Sequence, residues 1–265
     1  MKFISESEST RLISHELAFE AVRKSLVAAA SPNAQVFPAV IAQASDPQNT
    51  FSLKSGSTPE LAGLKVGSFW PNNPSKGRPR HSSTIFLIDQ ESGRIGAVVE
   101  ASAVNAYRTA AADAVAAKAL ARPESETLAI FGAGNQALFE CCALARILPL
   151  KRLHVVARNR DKANDFVTKL GSLGVKLDVH VSTAEEACRN ADIIVTATPS
   201  RVPPVQGGMD PPRHAYRWHG VRRARQTGVA ERDFRACEAV LSRSNRLRSG
   251  NSSMSAKGSK VANLF

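Results

Sequence analysis

An apolar strand that runs into a glycine loop and an alanine-rich helix, followed by three more strand patterns separated by helical stretches, predicts an α/β chain. A second observation extends this: residues 1–122 show one long helical stretch and then several short strand patterns, which predicts a separate α+β unit ahead of the parallel sheet. In order, residues 5–30 open with Ser and Glu and then place Leu12, Ile13, Leu17, Ala18, Ala21, Val22, Leu26 and Val27 at helical spacing. Strand patterns follow at 35–42, 50–54, 63–68, 84–89 and 96–100, with turn residues between them. An alanine-rich helix begins near Asn105 and leads through Arg122-Pro123 into the strand 128–131. Beyond it come a helix at 136–147, strands at 153–157 and 177–181, a helix at 183–190 and a fourth strand at 191–198. Alternation of this kind requires a parallel sheet with right-handed crossovers.

The loop itself reads Phe131-Gly132-Ala133-Gly134-Asn135-Gln136-Ala137. Its chemistry needs a tight turn at Gly132, close backbone approach at Gly134, and a helix N-terminus that faces an anion. Ala137 occupies the third small position of a G-x-G-x-x-A fingerprint, so a dinucleotide is the first ligand to consider. About 20 residues further on, where an NAD site places a carboxylate on the ribose, the chain has Arg158, Asn159 and Arg160. A guanidinium can grip a 2′-phosphate bidentately, so NADP(H) is favoured over NAD(H); a solvated surface cluster is the bland alternative. The candidate cofactor contacts are Gly132, Ala133, Gly134, Asn135, Gln136, Arg158, Asn159 and Arg160.

With 43% hydrophobic and 22% charged residues in 265, the composition is that of an ordinary globular chain with room for two modest domains. No apolar run reaches membrane-span length and the first residues form no signal-peptide core, so the expectation is a cytoplasmic protein with no membrane partner. Cys141, Cys142, Cys188 and Cys237 lack C-x-x-C spacing; the first two read as packing residues, and no metal site is indicated. The net charge of +12 is uneven: residues 201–265 carry 13 Lys/Arg against 4 Asp/Glu, which is nine of the twelve. Arg222-Arg223-Ala224-Arg225 lacks an aromatic platform or recognition motif, so nucleic acid is not the expected partner.

Four ordered blocks resemble the ornithine cyclodeaminase and mu-crystallin family: Gly63-Leu64-Lys65-Val66-Gly67-Ser68-Phe69-Trp70-Pro71-Asn72-Asn73; Ser82 to Asp89 ending at Gly93; Arg108-Thr109-Ala110-Ala111; and Phe131-Gly132-Ala133-Gly134. The resemblance covers residues 1–203. It implies NAD(P)-dependent hydride transfer on a cyclic or open imine of an amino acid, either reduction of Δ1-pyrroline-2-carboxylate to proline or a related ketimine, or conversion of ornithine to proline with loss of ammonia. It further implies that Arg108 holds the substrate carboxylate, that Lys65 contacts the substrate near the reacting centre as the catalytic group, and that Thr109 lies near the cofactor phosphates. A solvated helix arginine and an edge-strand lysine are the bland readings of Arg108 and Lys65. Lys54 is a weaker candidate, and His81 reads as a surface loop residue. A second family arginine, expected near Val36-Phe37-Pro38, is absent. The resemblance implies a homodimer formed through the first-domain sheet, and it leaves open a non-catalytic NADPH- and small-ligand-binding protein as the alternative.

The expected division is a substrate and dimerisation domain at 1–122, a Rossmann domain at 123–203, and a basic tail at 204–265. In the tail the family pattern P-G-T-H-I-x-x-M-G-x-D-x-x-G-K-x-E-L, which carries an acidic catalytic residue, is missing. Back-translating residues 204–229 and reading one base later, with free synonymous choice, permits LFKAEWIRPGTHIGGMGSDAPGKQEL; Met209-Asp210 must then yield Trp, and Trp218-His219 must yield Gly. The sequence is therefore read as out of frame from about residue 204. The expected consequences are an incomplete Rossmann sheet that stops at its fourth strand and a weakly active or inactive chain.

Overall fold

The computed structural model describes residues 1–198, Ser200, Pro204 and the backbone of Tyr216–Trp218. Cys237, the Arg222-Arg223-Ala224-Arg225 run and most of the re-read segment lie outside these residues. The chain forms two compact units that divide between Arg108 and Thr109, inside a helix, whereas the sequence reading draws the boundary after that helix.

The first unit begins with β1 (Lys2–Ile4), α1 (Glu6–Leu12) and α2 (His15–Ala29). The single helical stretch expected over 5–30 is thus two helices. Ser14 stands between them in extended conformation and its side chain accepts from Leu17 N at 3.1 Å, so it caps a new helix instead of continuing the old one. Next come β2 (Gln35–Val36), β3 (Val40–Gln43), β4 (Thr50–Ser57), β5 (Ala62–Phe69), β6 (His81–Ile88) and β7 (Ile95–Glu100). The strand expected at 35–42 is broken around Pro38, which has no N–H to give to a ladder. The sheet order is β1-β7-β6-β5-β4-β2, with β3 also paired to β4; all pairings are antiparallel except that of β1 with β7.

Helix α3 (Ser102–Leu120) leaves this sheet under two reciprocal caps. The Glu6 carboxylate accepts from Ser102 N at 2.9 Å and Ala103 N at 2.7 Å, while the Glu100 carboxylate accepts from Glu6 N at 2.8 Å. Glu6 of α1 therefore satisfies two orphan amides at the start of α3, and Glu100, the last residue of β7, satisfies one at the start of α1.

The second unit contains β8 (Thr127–Phe131), α4 (Asn135–Ile147), β9 (Arg152–Val156), α5 (Arg160–Ser172), β10 (Asp178–Val181), α6 (Ala184–Asn190), β11 (Ile193–Thr196) and β12 (Tyr216–Trp218). The strands are all parallel in the order β10-β9-β8-β11-β12. Residues of β8 are buried on both faces, as a central parallel strand requires. Leu128 and Ile130 pack with Leu153, Val155, Ile193 and Val195 against residues of α4 and α5. Ala129, Phe131 and Ile194 pack with Ala187 and Cys188 of α6. Cys141, Cys142 and Cys188 are buried in the core, where they serve as packing residues.

One expectation is corrected. The sheet does not stop at its fourth strand: Tyr216–Trp218 adds a short fifth one, pairing Ile193 with Tyr216, Ile194 with Arg217 and Val195 with Trp218. An apolar, fully buried β11 favours any segment that completes its hydrogen bonds on that side. Among the described residues no helix is long and apolar enough to cross a membrane.

Candidate functional site

The glycine loop joins β8 to α4. Gly132 has φ of 109°, and a Cβ there would stand 2.6 Å from Ala197 O, so both conformation and space require glycine. Its N–H donates to Val156 O at 2.8 Å, which fastens the loop to the C-terminal end of β9. Gly134 is the N-cap of α4, extended, without a side-chain cap, and a Cβ there would meet nothing within 4 Å. The first turn of α4 also contains no acidic residue. Uncapped amides under open space, with the helix dipole behind them, fit a phosphate or pyrophosphate. Ala137 is fully buried, so the small third position serves helix packing.

The other predicted cofactor residues divide by what their side chains already hold. Ala133 is half-buried and Asn135 exposed, both offering backbone, while Gln136 Nε2 donates to Glu140 Oε1 at 2.8 Å. Asn159 uses its side-chain oxygen to cap α5, accepting from Lys162 N at 3.0 Å, so the amide nitrogen is what it has left to offer a ligand. Arg158 is exposed just past β9, the strand next to β8, and Arg160 is the exposed first residue of α5; neither side chain takes part in a hydrogen bond or ion pair among the described residues. Thr109 lies half-buried on α3, one residue beyond Arg108.

The first unit assembles a cationic cluster. Lys65 sits at the middle of β5, which pairs with β4 on one side and β6 on the other, so it is not on an edge strand. Its ammonium donates to Asn105 Oδ1 at 2.8 Å, and Arg108 donates to the same oxygen through Nε at 3.1 Å and Nη2 at 2.8 Å. The structure thus brings both predicted substrate residues onto one acceptor. The sequence reading did not single out Asn105; its position one helical turn before Arg108 was the signal that could have placed it in this cluster.

Lys54 lies directly opposite Lys65 across the β4–β5 ladder, so the two side chains share a face. Burial first, and then the Arg108 guanidinium, push the Lys54 ammonium down to about 8. On the same face the neighbouring cross-strand pairs are Gly56 with Gly63 and Ser52 with Gly67, and Gly67 in turn pairs with Ser83. Glycine and serine therefore border the lysines along β4 and β5, while Ile85 of β6 stands directly opposite Lys65. His81, read from the sequence as a loop residue, is the exposed first residue of β6, its ring 4.8 Å from that of Phe69.

A parallel five-stranded sheet with a glycine turn at the C-terminal end of its central strand is of the Rossmann type, and the α+β unit carries the clustered cations. The chain belongs to the ornithine cyclodeaminase/mu-crystallin family, whose model matches residues 1–209. It is 32% identical over 196 residues to the iminosuccinate reductase of Paracoccus denitrificans, covering 69% of this chain and 61% of that protein. Among solved structures, the Thermococcus litoralis Δ1-pyrroline-2-carboxylate reductase in complex with NADH and L-proline matches at 30% identity and a TM-score of 0.73, over 79% of this chain and 66% of that one. An archaeal alanine dehydrogenase dimer with bound NAD matches at 31% identity and a TM-score of 0.72, over 79% of this chain and 64% of that one. The chain spans about three fifths of the length of such curated relatives.

Proposed function

We propose that this chain binds a nicotinamide dinucleotide on the loop from Gly132 to Gln136 and serves hydride transfer between NADP(H) and the imine of an α-amino acid. The observation that carries the substrate side is the convergence of Lys65 and Arg108 on Asn105 Oδ1. A bound nicotinamide supplies the hydride. The protein's own groups do the rest. The fixed, forked guanidinium of Arg108 orients the substrate carboxylate, and Asn105 prevents it from turning away. Lys65, held by the same oxygen, keeps a proton near the reacting nitrogen, whose protonation makes the adjoining carbon a better hydride acceptor. Uncapped amides at Asn135 and Gln136 receive the pyrophosphate, and Arg158 and Arg160 receive a 2′-phosphate. Cyclic substrates of this class include Δ1-pyrroline-2-carboxylate, reduced to proline, and ornithine is the deaminating case; a homodimer through the first sheet is part of the same reading.

Titration of the full chain with NADPH and NADH tests the cofactor assignment. NADPH is expected to bind more tightly, and Arg158→Ala to cost it about tenfold, in keeping with the loss of one charge-assisted hydrogen bond, while NADH is little changed. Equal loss for both cofactors, or no preference in the parent chain, overturns the NADP(H) assignment. Because residues 204–265 lack the family's acidic pattern, imine-dependent NADPH oxidation is expected to be weak, and rapid turnover would show that another residue supplies the acid.

A further inference from the structure

Lys65 and Arg108 hold Asn105 Oδ1, whereas Lys54 takes part in no hydrogen bond or ion pair among the described residues. It stands half-buried within the β4–β5 ladder, its Cβ about 5 Å from that of Lys65 as in any directly opposed pair. Along its own strand the residues on the same face are Ser52 and Gly56, so no long side chain of β4 stands beside it. A lysine so placed has no acceptor to keep its proton.

Burial first, and then the Arg108 guanidinium, bring that ammonium down to about 8. Near pH 7.5 roughly a quarter of such a group is free amine, against roughly one part in a thousand for an ordinary lysine at about 10.4. A desolvated amine beside another cation is the arrangement that makes lysine a nucleophile toward a carbonyl carbon. The same guanidinium is suited to a carboxylate, so a carbonyl next to a carboxylate is delivered to the amine. The lysine face also holds an unsatisfied hydroxyl: Ser83, opposite Gly67, is 4% exposed and its Oγ has no hydrogen-bond partner. The oxygen of a tetrahedral adduct is a partner of the right chemistry.

Resting on the reading that Arg108 takes a substrate carboxylate, we infer that Lys54 captures a 2-oxo acid covalently, as an imine on its own side-chain nitrogen. The free amine adds to the carbonyl carbon, proton transfer gives a carbinolamine, and its oxygen leaves as water while the C=N bond forms. Ammonia adding to that carbon then displaces the lysine, which gives the free imino acid and returns Lys54 as the amine. The site thus makes the imine it reduces, and no oxidant or reductant is consumed before the hydride step.

Borohydride trapping on the full chain, with pyruvate as the probe and peptide mapping by mass spectrometry, tests this without turnover. At neutral pH Lys54 is expected to carry the reduced pyruvyl group at least about tenfold above the exposed lysines, in keeping with its larger share of free amine. Labelling should rise as pH is raised through about 8, because the amine reacts and the ammonium does not. Lys54→Arg should abolish it with NADPH binding retained, which shows that the variant is folded. Excess ammonium should lower the trapped fraction and potassium should not; equal effects would overturn the exchange with ammonia. Acetaldehyde, which lacks a carboxylate, is the comparison: if it marks Lys54 as selectively as pyruvate does, the nucleophile stands and the Arg108 reading falls. If pyruvate marks Lys54 no more than the exposed lysines, the covalent inference is overturned, and L-alanine binding retained in calorimetry leaves the amino-acid reading in place.

Discussion

Gly132 and Gly134 stand two residues apart in one motif, yet the structure gives them different duties, and substitution should separate them. At Gly132 an added methyl meets a carbonyl oxygen at 2.6 Å and must adopt a φ of 109°. Gly132→Ala is therefore expected to cost roughly 1–3 kcal/mol of stability, visible as a lowered Tm, besides weakening NADPH. Gly134 has a φ of −100° and open space, so Gly134→Ala should leave Tm nearly unchanged and weaken only the cofactor, because its methyl would stand where the phosphate approaches. Equal effects on Tm would contradict this division. The fingerprint was legible in sequence because the turn demands glycine. The uses of Asn159 and Gln136 were not, since a carboxamide can cap a helix or pair along it as readily as it meets a ligand. Lys54 is a strand residue as its alternation suggests, but only the register sets it opposite Lys65, and only the fold brings Arg108 near.

Strands and helices of the second unit were readable because apolar runs of strand length alternate with amphipathic stretches. What joins them was not readable. Asp192, immediately before β11, accepts from Arg122 Nη2 at 2.6 Å through Oδ1, and from the amides of Glu126 and Thr127 at 3.0 Å each through Oδ2. One carboxylate thus aligns the starts of two neighbouring parallel strands, β8 and β11. Asp192→Ala leaves two amides at the start of the central strand without that acceptor, and is expected to cost about 1–3 kcal/mol. Thermal unfolding should show the loss, and an unchanged Tm would mean that water replaces the carboxylate. In the first unit, β1 escaped the sequence reading because three residues show no alternation; they become a strand only by pairing in parallel with β7, Lys2 opposite Ala97. The break at Ser14 was hidden by apolar residues that keep helical spacing across it, and the cap decided the matter.

At the scale of the whole chain, family likeness and charge change at the same place. The family model matches through residue 209, and nine of the twelve net positive charges lie in residues 201–265. A basic extension selected for binding would be free to carry any codons, whereas an out-of-frame tail must encode the family pattern one base away. Such a pattern can be written from 204–229 with synonymous choice, and two of its letters, Trp from Met209-Asp210 and Gly from Trp218-His219, allow no choice at all. Sequencing the coding DNA across codons 195–265 should therefore reveal the P-G-T-H pattern and its acidic residue in the next frame. Restoring that frame should raise imine-dependent NADPH oxidation well above that of the 265-residue chain while leaving the Arg158 effect on NADPH intact, because the loop from Gly132 to Gln136 is complete without the tail. An unrelated or interrupted frame would make the tail a true extension. The parallel pairing of Tyr216–Trp218 with β11 would then be its first structural role, closing an edge that an apolar strand cannot leave open to water.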